Sequence, residues 1–146
     1  MAAAVRIGVQ GESGWLGFDL AQVMAVVGPQ PHLNWVLREA EFNGDVRTVW
    51  PADWEVVQRQ SDQPRGVPLD WVQMTTLAQQ CQQIIDGRFT AYDESGQVQL
   101  QMQAVDSSFW VVWARDEAVL ERVRGAFAGV EDYEERTPAP RGTTID

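Results

Sequence analysis

The chain contains few of the side chains that usually perform nucleophilic catalysis. His32 is the single histidine, Cys81 is the single cysteine, and the 11 Lys and Arg residues are all arginine. Residues 11–15, GESGW, approach the nucleophile elbow of hydrolases, but Trp15 stands where that motif requires glycine. Because a serine or cysteine nucleophile needs a positioned base, we expect neither a Ser13–His32 triad nor a Cys81–His32 dyad.

The absence of lysine excludes two further kinds of site. The phosphate-binding loop that ends in Gly-Lys-Ser/Thr needs a lysine, and so does Schiff-base or pyridoxal chemistry. The glycines at positions 8, 11, 14 and 17 recur in steps of three, which does not fit the dinucleotide-binding fingerprint. One histidine and one cysteine cannot form a structural zinc site within a single chain. We therefore expect no cofactor and no metal.

Carboxylates are the remaining candidates for catalysis or for binding a hard cation. Glu39, Glu41 and Asp45 lie near one predicted hairpin, and Asp53 and Glu55 follow in the sequence. If residues 34–42 form a strand, Glu39 and Glu41 share one of its faces. Paired carboxylates are the groups that glycoside hydrolysis uses. The favoured interpretation is nevertheless that these acids are solvated surface groups.

The charge balance limits the kinds of partner. The chain has 21 acidic and 11 basic residues and a net charge of −10. Nucleic acids and anionic membranes require a cationic surface, so we expect neither. A protein partner is compatible with this charge, and a basic one is favoured because opposite potentials speed encounter. The lone cysteine and the lack of a signal peptide or membrane-length apolar segment predict a cytoplasmic protein.

The elements that must position these residues begin with three predicted helices. The first extends from an N-cap at Asp19 to Gly28, and the third covers residues 116–128. The second begins at Asp70, with Gln73 completing a capping box, and ends before Asp86-Gly87. Its apolar stripe consists of Trp71, Met74, Leu77, Ala78, Cys81, Ile84 and Ile85.

The segment between the first two helices has two interpretations. The apolar spacing in residues 33–40 suits a helix, whereas Asn43-Gly44 favours a hairpin turn with residues 45–50 as the return strand. We favour the hairpin. The pattern around Trp54 fits either a short helix or a strand, and residues 61–66 predict a loop.

A three-stranded antiparallel meander is predicted over residues 88–93, 97–105 and 109–115. Glutamines alternate with apolar residues in its middle strand, which predicts one polar and one apolar face. A two-residue turn at Ser95-Gly96 places Arg88, Thr90 and Tyr92 opposite Gln103, Gln101 and Gln99. Phe89 and Ala91 then fall on the core face.

The third strand of the meander is apolar on both sides. A two-residue second turn would place Trp110 and Val112 beside the glutamines. A three-residue turn would place Phe109, Val111 and Trp113 there instead. One interpretation is that another element covers this side of the sheet.

The other interpretation is a binding surface, since aromatic residues flanked by arginine and amides are typical of interface cores. The same groups would also suit a sugar. The predicted partner-binding residues are Arg88, Tyr92, Gln99, Gln101, Gln103 and Trp110.

The segment IDGRFTAYDESG…LQMQAVDSSFWVVWARDEAVLERVRGAF, residues 85–127, resembles the C-terminal half of small bacterial proteins, some of which are similar to immunity proteins of toxin–immunity pairs. The shared elements are a helix that ends in Asp-Gly, a hairpin, an Asp-Ser-Ser turn before an aromatic strand, and a final amphipathic helix. The resemblance implies an acidic, cytoplasmic, non-catalytic protein that binds a cognate toxin. It defines no binding residues.

Together these patterns predict an α+β domain: a mostly antiparallel sheet, including the C-terminal meander, with two or three helices packed on one face. We expect residues 1–130 to form the single domain and residues 131–146 to form an acidic, mobile tail. We expect a non-catalytic protein-binding module, with an immunity protein against a basic toxin as the particular role. The alternatives are a small-ligand or carbohydrate-binding domain, including a carboxylate-dependent hydrolase, and a structural component that self-associates.

Overall fold

The computed structural model of the protein describes residues 3–8, 20–44, 54–106, 108–127, 129–134 and 138. Its elements along the chain are β1 (Ala3–Ile7), α1 (Leu20–Val27), β2 (Asn34–Gly44), α2 (Trp54–Ser61), β3 (Val67–Leu69), α3 (Trp71–Gln80), β4 (Cys81–Tyr92), β5 (Val98–Val105), β6 (Phe109–Ala114), α4 (Glu117–Ala126) and β7 (Val130–Tyr133). None of the described helices is long and apolar enough to span a membrane.

The described strands form one antiparallel sheet in the order β3-β2-β4-β5-β6-β1-β7. Because side chains alternate along a strand, the sheet has two faces. One face, called the core face, packs against all four described helices in a single cluster that includes Val23, Val57, Leu77 and Leu120. The opposite face, called the open face, carries a separate cluster without a residue from these helices. The predicted α+β fold with helices on one face is confirmed.

Helix α3 begins as the sequence predicts and ends earlier. Its capping box is formed, since the Gln73 amide N–H donates to the Asp70 carboxylate at 2.7 Å and the Asp70 N–H donates to the Gln73 side chain at 2.9 Å. The prediction of a helix up to residue 85 is wrong. The chain enters β4 at Cys81 because residues 81–84 pair with the end of β2. This non-local pairing overrides the local helical spacing.

The Asp86-Gly87 pair therefore lies within β4, and not at the end of a helix as the resemblance implies. Ile84 is buried in the core, but the side chain of Cys81 lies outside the described part of the chain, so its predicted place in the core is untested.

Strand β2 contains a bulge at Glu39. The register with β4 passes from the pair Arg38–Arg88 to the pair Glu41–Asp86, which leaves an extra residue on β2. Glu39 has a φ of 55°, and the Ala40 N–H donates to the Ser61 hydroxyl at 3.0 Å. The strand interpretation of residues 34–42 is confirmed. The predicted hairpin turn at Asn43-Gly44 is wrong, because both residues continue β2 and pair with β4, and the predicted return strand, residues 45–50, lies outside the described residues. Trp54 begins a helix, α2.

The predicted meander is formed, and two of the three residue pairs predicted between β4 and β5 are present. Arg88 lies opposite Gln103 and Thr90 opposite Gln101. The prediction that Tyr92 lies opposite Gln99 is wrong, because an irregularity next to the turn places Val98 there. The second turn has the three-residue length, since Val105 pairs with Phe109.

The end of the described chain belongs to the sheet. Glu131, Asp132 and Tyr133 pair with β1, although the sequence predicts them to lie in a mobile tail. Residues 135–137 and 139–146 lie outside the described part. The domain thus includes β7 as an edge strand beyond residue 130.

Gly66 is required where the chain enters β3. Its φ is +65°, and an added Cβ would lie 2.6 Å from the Leu37 carbonyl oxygen and 2.7 Å from Val36 Cγ1. We expect Gly66→Ala to lower the free energy of unfolding by about 3 kcal/mol in urea denaturation. Gly129 is the matched control: its φ is +70°, with no atom within 4 Å of an added Cβ. Gly129→Ala should cost about 1 kcal/mol. Equal losses would contradict the steric argument.

Candidate functional site

The open face is built from two rows of side chains that the strand register fixes. The first row across the sheet is Val36, Thr90, Gln101, Trp113 and Ala4. The second row is Arg38, Arg88, Gln103, Val111 and Arg6. Tyr92, Val98 and Phe109 extend the apolar part of the same face. The open face therefore combines a hydrophobic cluster with a row rich in arginine.

Three arginine–aromatic pairs lie on this face. The guanidinium carbon of Arg6 lies 4.2 Å from the ring centroid of Phe109. The corresponding distance is 5.9 Å for Arg38 and Tyr92, and 5.5 Å for Arg115 and Trp113. A guanidinium over an aromatic face gains electrostatic attraction from the ring, and the ring holds the long side chain in place. The three pairs therefore order the arginines before any partner arrives.

The floor beneath these arginines is buried. Trp113 is 1% exposed, Tyr92 3% and Gln101 6%. The Thr90 hydroxyl donates to the Gln101 side-chain oxygen at 3.0 Å, which satisfies both groups within the sheet. In contrast, Arg6 and Arg115 are exposed, and Arg88 and Gln103 are half-buried. Charge is thus presented to solvent above a well-packed apolar layer.

The structure places only some of the predicted partner-binding residues on the open face. Arg88, Tyr92, Gln101 and Gln103 share the open face, as the sequence predicts. Gln99 is the extra residue at the irregularity beside Tyr92, and its amide donates to Asp93 at 2.7 Å.

Trp110 lies on the core face, fully buried and stacked on Phe89. Trp113 takes the place beside the glutamines because the second turn has three residues. Whether any of the six binds a partner stays a prediction.

Sequence reasoning missed three residues of the open face, namely Arg6, Arg38 and Arg115, whereas Phe109 was placed there by the three-residue alternative for the second turn. Arg38 and Arg6 follow Val36 and Ala4 by two residues, which is the alternation of a strand. The spacing shows that each arginine shares a face of its strand with an apolar residue, but only the order of the strands shows that both faces belong to the same side of the sheet. β1 and β2 lie on opposite sides of the meander, and only non-local pairing brings their arginines to the same face.

The predicted carboxylate candidates do not form a pair in the described structure. The bulge at Glu39 breaks the alternation that would place Glu39 and Glu41 on one face. Glu39 Oε1 instead contacts Arg88 Nη2 at 3.3 Å. Asp45, Asp53 and the side chain of Glu55 lie outside the described part. Among the residues that the structure describes, no group of three or more His, Cys, Asp or Glu side chains gathers as metal ligands do.

The remaining nucleophile candidates are likewise not brought together. Ser13 lies outside the described residues. His32 is exposed and lines a shallow depression of about 370 Å³ with Asp93, Glu94 and Ser95. The Ser95 hydroxyl, together with the Gln97 N–H and the Gln99 amide, donates to Asp93 and holds the pKa of that carboxyl below its ordinary value. A lowered pKa describes a carboxylate that organises a turn, since a general acid needs a raised one.

The chain was compared with protein-family models, curated proteins and solved structures, and none of the three comparisons gave a match.

The pKa of Asp93 predicts a pH-dependent contribution to stability. Because the folded state lowers this pKa, the ionised carboxylate stabilises the fold above the ordinary aspartate pKa of about 3.9. That contribution is lost as the pH falls through the folded-state pKa. Asp93→Asn cannot ionise, so the excess stability of the natural protein over this variant should be constant near neutral pH and should shrink as the pH falls below the ordinary aspartate pKa of about 3.9. Urea unfolding followed by tryptophan fluorescence measures it, and a pH-independent difference would contradict this assignment.

Proposed function

We propose that the protein is a non-catalytic protein-binding module whose partner docks on the open face. The observation that carries this proposal is the set of three arginine–aromatic pairs above a buried apolar floor. Arginine, tyrosine and tryptophan are the residues most often found at the energetic centres of protein interfaces. Pre-ordered side chains also lose less conformational entropy when a partner binds.

Within this class, the role we propose is that of an immunity protein that neutralises a basic toxin. The likeness of residues 85–127 to immunity-type proteins supports this role, and so does the net charge of −10. Such a charge would accelerate encounter with a basic partner over long distances. The net charge affects the rate of encounter, whereas the specificity of binding depends on the groups that meet at short range.

Charge reversal on the open face tests the proposal. The protein and its variants would be titrated calorimetrically with the proteins encoded beside its gene. We expect Arg6→Glu and Arg115→Glu each to weaken binding by about tenfold or more, because both arginines are exposed beside apolar residues. Arg59→Glu is the matched control, because Arg59 is an exposed arginine on α2 and its replacement changes the net charge by the same amount.

Similar losses in all three variants would show that only net charge matters and would contradict docking on the open face. Failure of every neighbouring product to bind would contradict the immunity role. Light scattering of the free protein separates binding of a partner from association with a second copy of the chain.

A further inference from the structure

Two arginines of the open face are direct neighbours. Arg38 on β2 and Arg88 on β4 are registered opposite each other in the antiparallel ladder. Like charges in this arrangement repel, so their environment must compensate or the arrangement must serve a ligand. The compensation within the described structure is small. Arg38 donates to two neutral acceptors, the Pro64 carbonyl oxygen at 3.1 Å and the Tyr92 hydroxyl at 2.8 Å.

Arg88 uses only part of its hydrogen-bonding capacity. A guanidinium binds a carboxylate best when Nε and the adjacent Nη donate in parallel to its two oxygens. On Arg88, Nη2 contacts one oxygen of Glu39 at a long 3.3 Å, while Nε is buried and has no acceptor among the residues that the structure describes. The side chains are 31% and 61% exposed, so solvent screens this ion pair. Of the two parallel donors of Arg88, Nη2 has an acceptor and Nε has none within the described part of the chain.

Glu39 is held at this position by an unusual backbone. Its φ of 55° lies in the left-handed region, which a glutamate rarely adopts. The bulge that contains it is fixed from the other side, where the Ser61 hydroxyl accepts from the Ala40 N–H and donates to the Gln58 carbonyl oxygen at 2.6 Å. Bulges of this kind re-aim side chains and are common beside functional sites.

From these observations we propose that the Arg38–Arg88 pair receives a carboxylate of an acidic segment of a protein partner, and that Glu39 is an internal substitute which this carboxylate displaces. Once Glu39 has moved away, the incoming group accepts from Nε and Nη2 of Arg88 in parallel and lies beside the charge of Arg38. Gln103, the neighbour of Arg88 on β5, borders the site with an uncharged amide. Charge complementarity selects the occupant, because two guanidiniums share a single carboxylate here. This inference rests on the open face being the docking surface.

The test uses a capped hexaglutamate peptide as the probe and the Nε–Hε signals of the arginines in nuclear magnetic resonance spectra as the readout. Full-length protein would be titrated at about 0.15 M salt, where long-range repulsion is screened. We expect saturable shifts of the Arg88 and Arg38 signals, with the Arg59 signal unchanged. Hexalysine and inorganic phosphate serve as comparison probes.

The variants separate a bidentate site from general attraction. Glu39→Gln should bind hexaglutamate about threefold to tenfold more tightly, because the internal competitor is removed. Arg88→Lys keeps the charge but loses the parallel donors, so it should bind about tenfold more weakly. Arg59→Lys is the matched control and should bind like the natural protein. The folded state of each variant is checked by the dispersion of its backbone amide signals.

Several outcomes would overturn the proposal. These are no shift with hexaglutamate, equal shifts at Arg59, unchanged affinity in Glu39→Gln, or phosphate shifting Arg88 as strongly as the peptide. The last result would assign the site to a small free oxyanion. These failures are distinct from failure of the proposed function, because a partner that is lost in Arg6→Glu and Arg115→Glu but is indifferent to Glu39→Gln still docks on the open face.

Discussion

The register between β5 and β6 is the constraint on which the two faces of the sheet depend. β6 is apolar on both sides, so hydrophobicity alone does not choose which side meets the helices. A slip of one residue would exchange Trp110 and Trp113 between the faces. The three-residue turn prevents this slip. Asp106 adopts a φ of 48° within it, and its N–H donates to the Asp86 carboxylate at 2.8 Å, which ties the turn to β4.

On the core face, this register places a large ring where its neighbours are small. Gly87 and Ala104 are the registered neighbours of Trp110 across β4 and β5, and the indole stacks on Phe89 at 6.4 Å. Within the described part of the chain the indole N–H of Trp110 has no acceptor, and an unmade hydrogen bond of this kind costs about 1–3 kcal/mol. Removing a buried tryptophan costs about 3–5 kcal/mol, so burial of the ring outweighs the unmade hydrogen bond. Packing, and not hydrogen bonding, therefore selects this arrangement.

Local signals in the sequence predicted the fold well where the interactions are local. The capping box at Asp70, the alternation in β5 and the pairing of Arg88 with Gln103 all follow from spacing and turn chemistry. The end of α3 could not be predicted, because residues 81–84 satisfy helical spacing and strand pairing alike, and only contact with distant β2 decides. The bulge at Glu39 and the charges gathered on the open face are equally non-local. The meander residues of the candidate site could therefore be predicted from the sequence, whereas the arginines of β1 and β2 could be placed only once the order of the strands was known.

The open face also shows why net charge is a poor guide to contact chemistry. The chain carries −10 overall, yet Arg6, Arg38 and Arg88 occupy one registered row whose other members are Gln103 and Val111. Ions screen exposed charges beyond about 8 Å at physiological ionic strength. A partner approaching from afar therefore meets a negative protein, whereas a partner in contact with this face meets guanidiniums that aromatic rings hold in place. Attraction at long range and recognition at short range can thus be assigned to different residues of the same small domain.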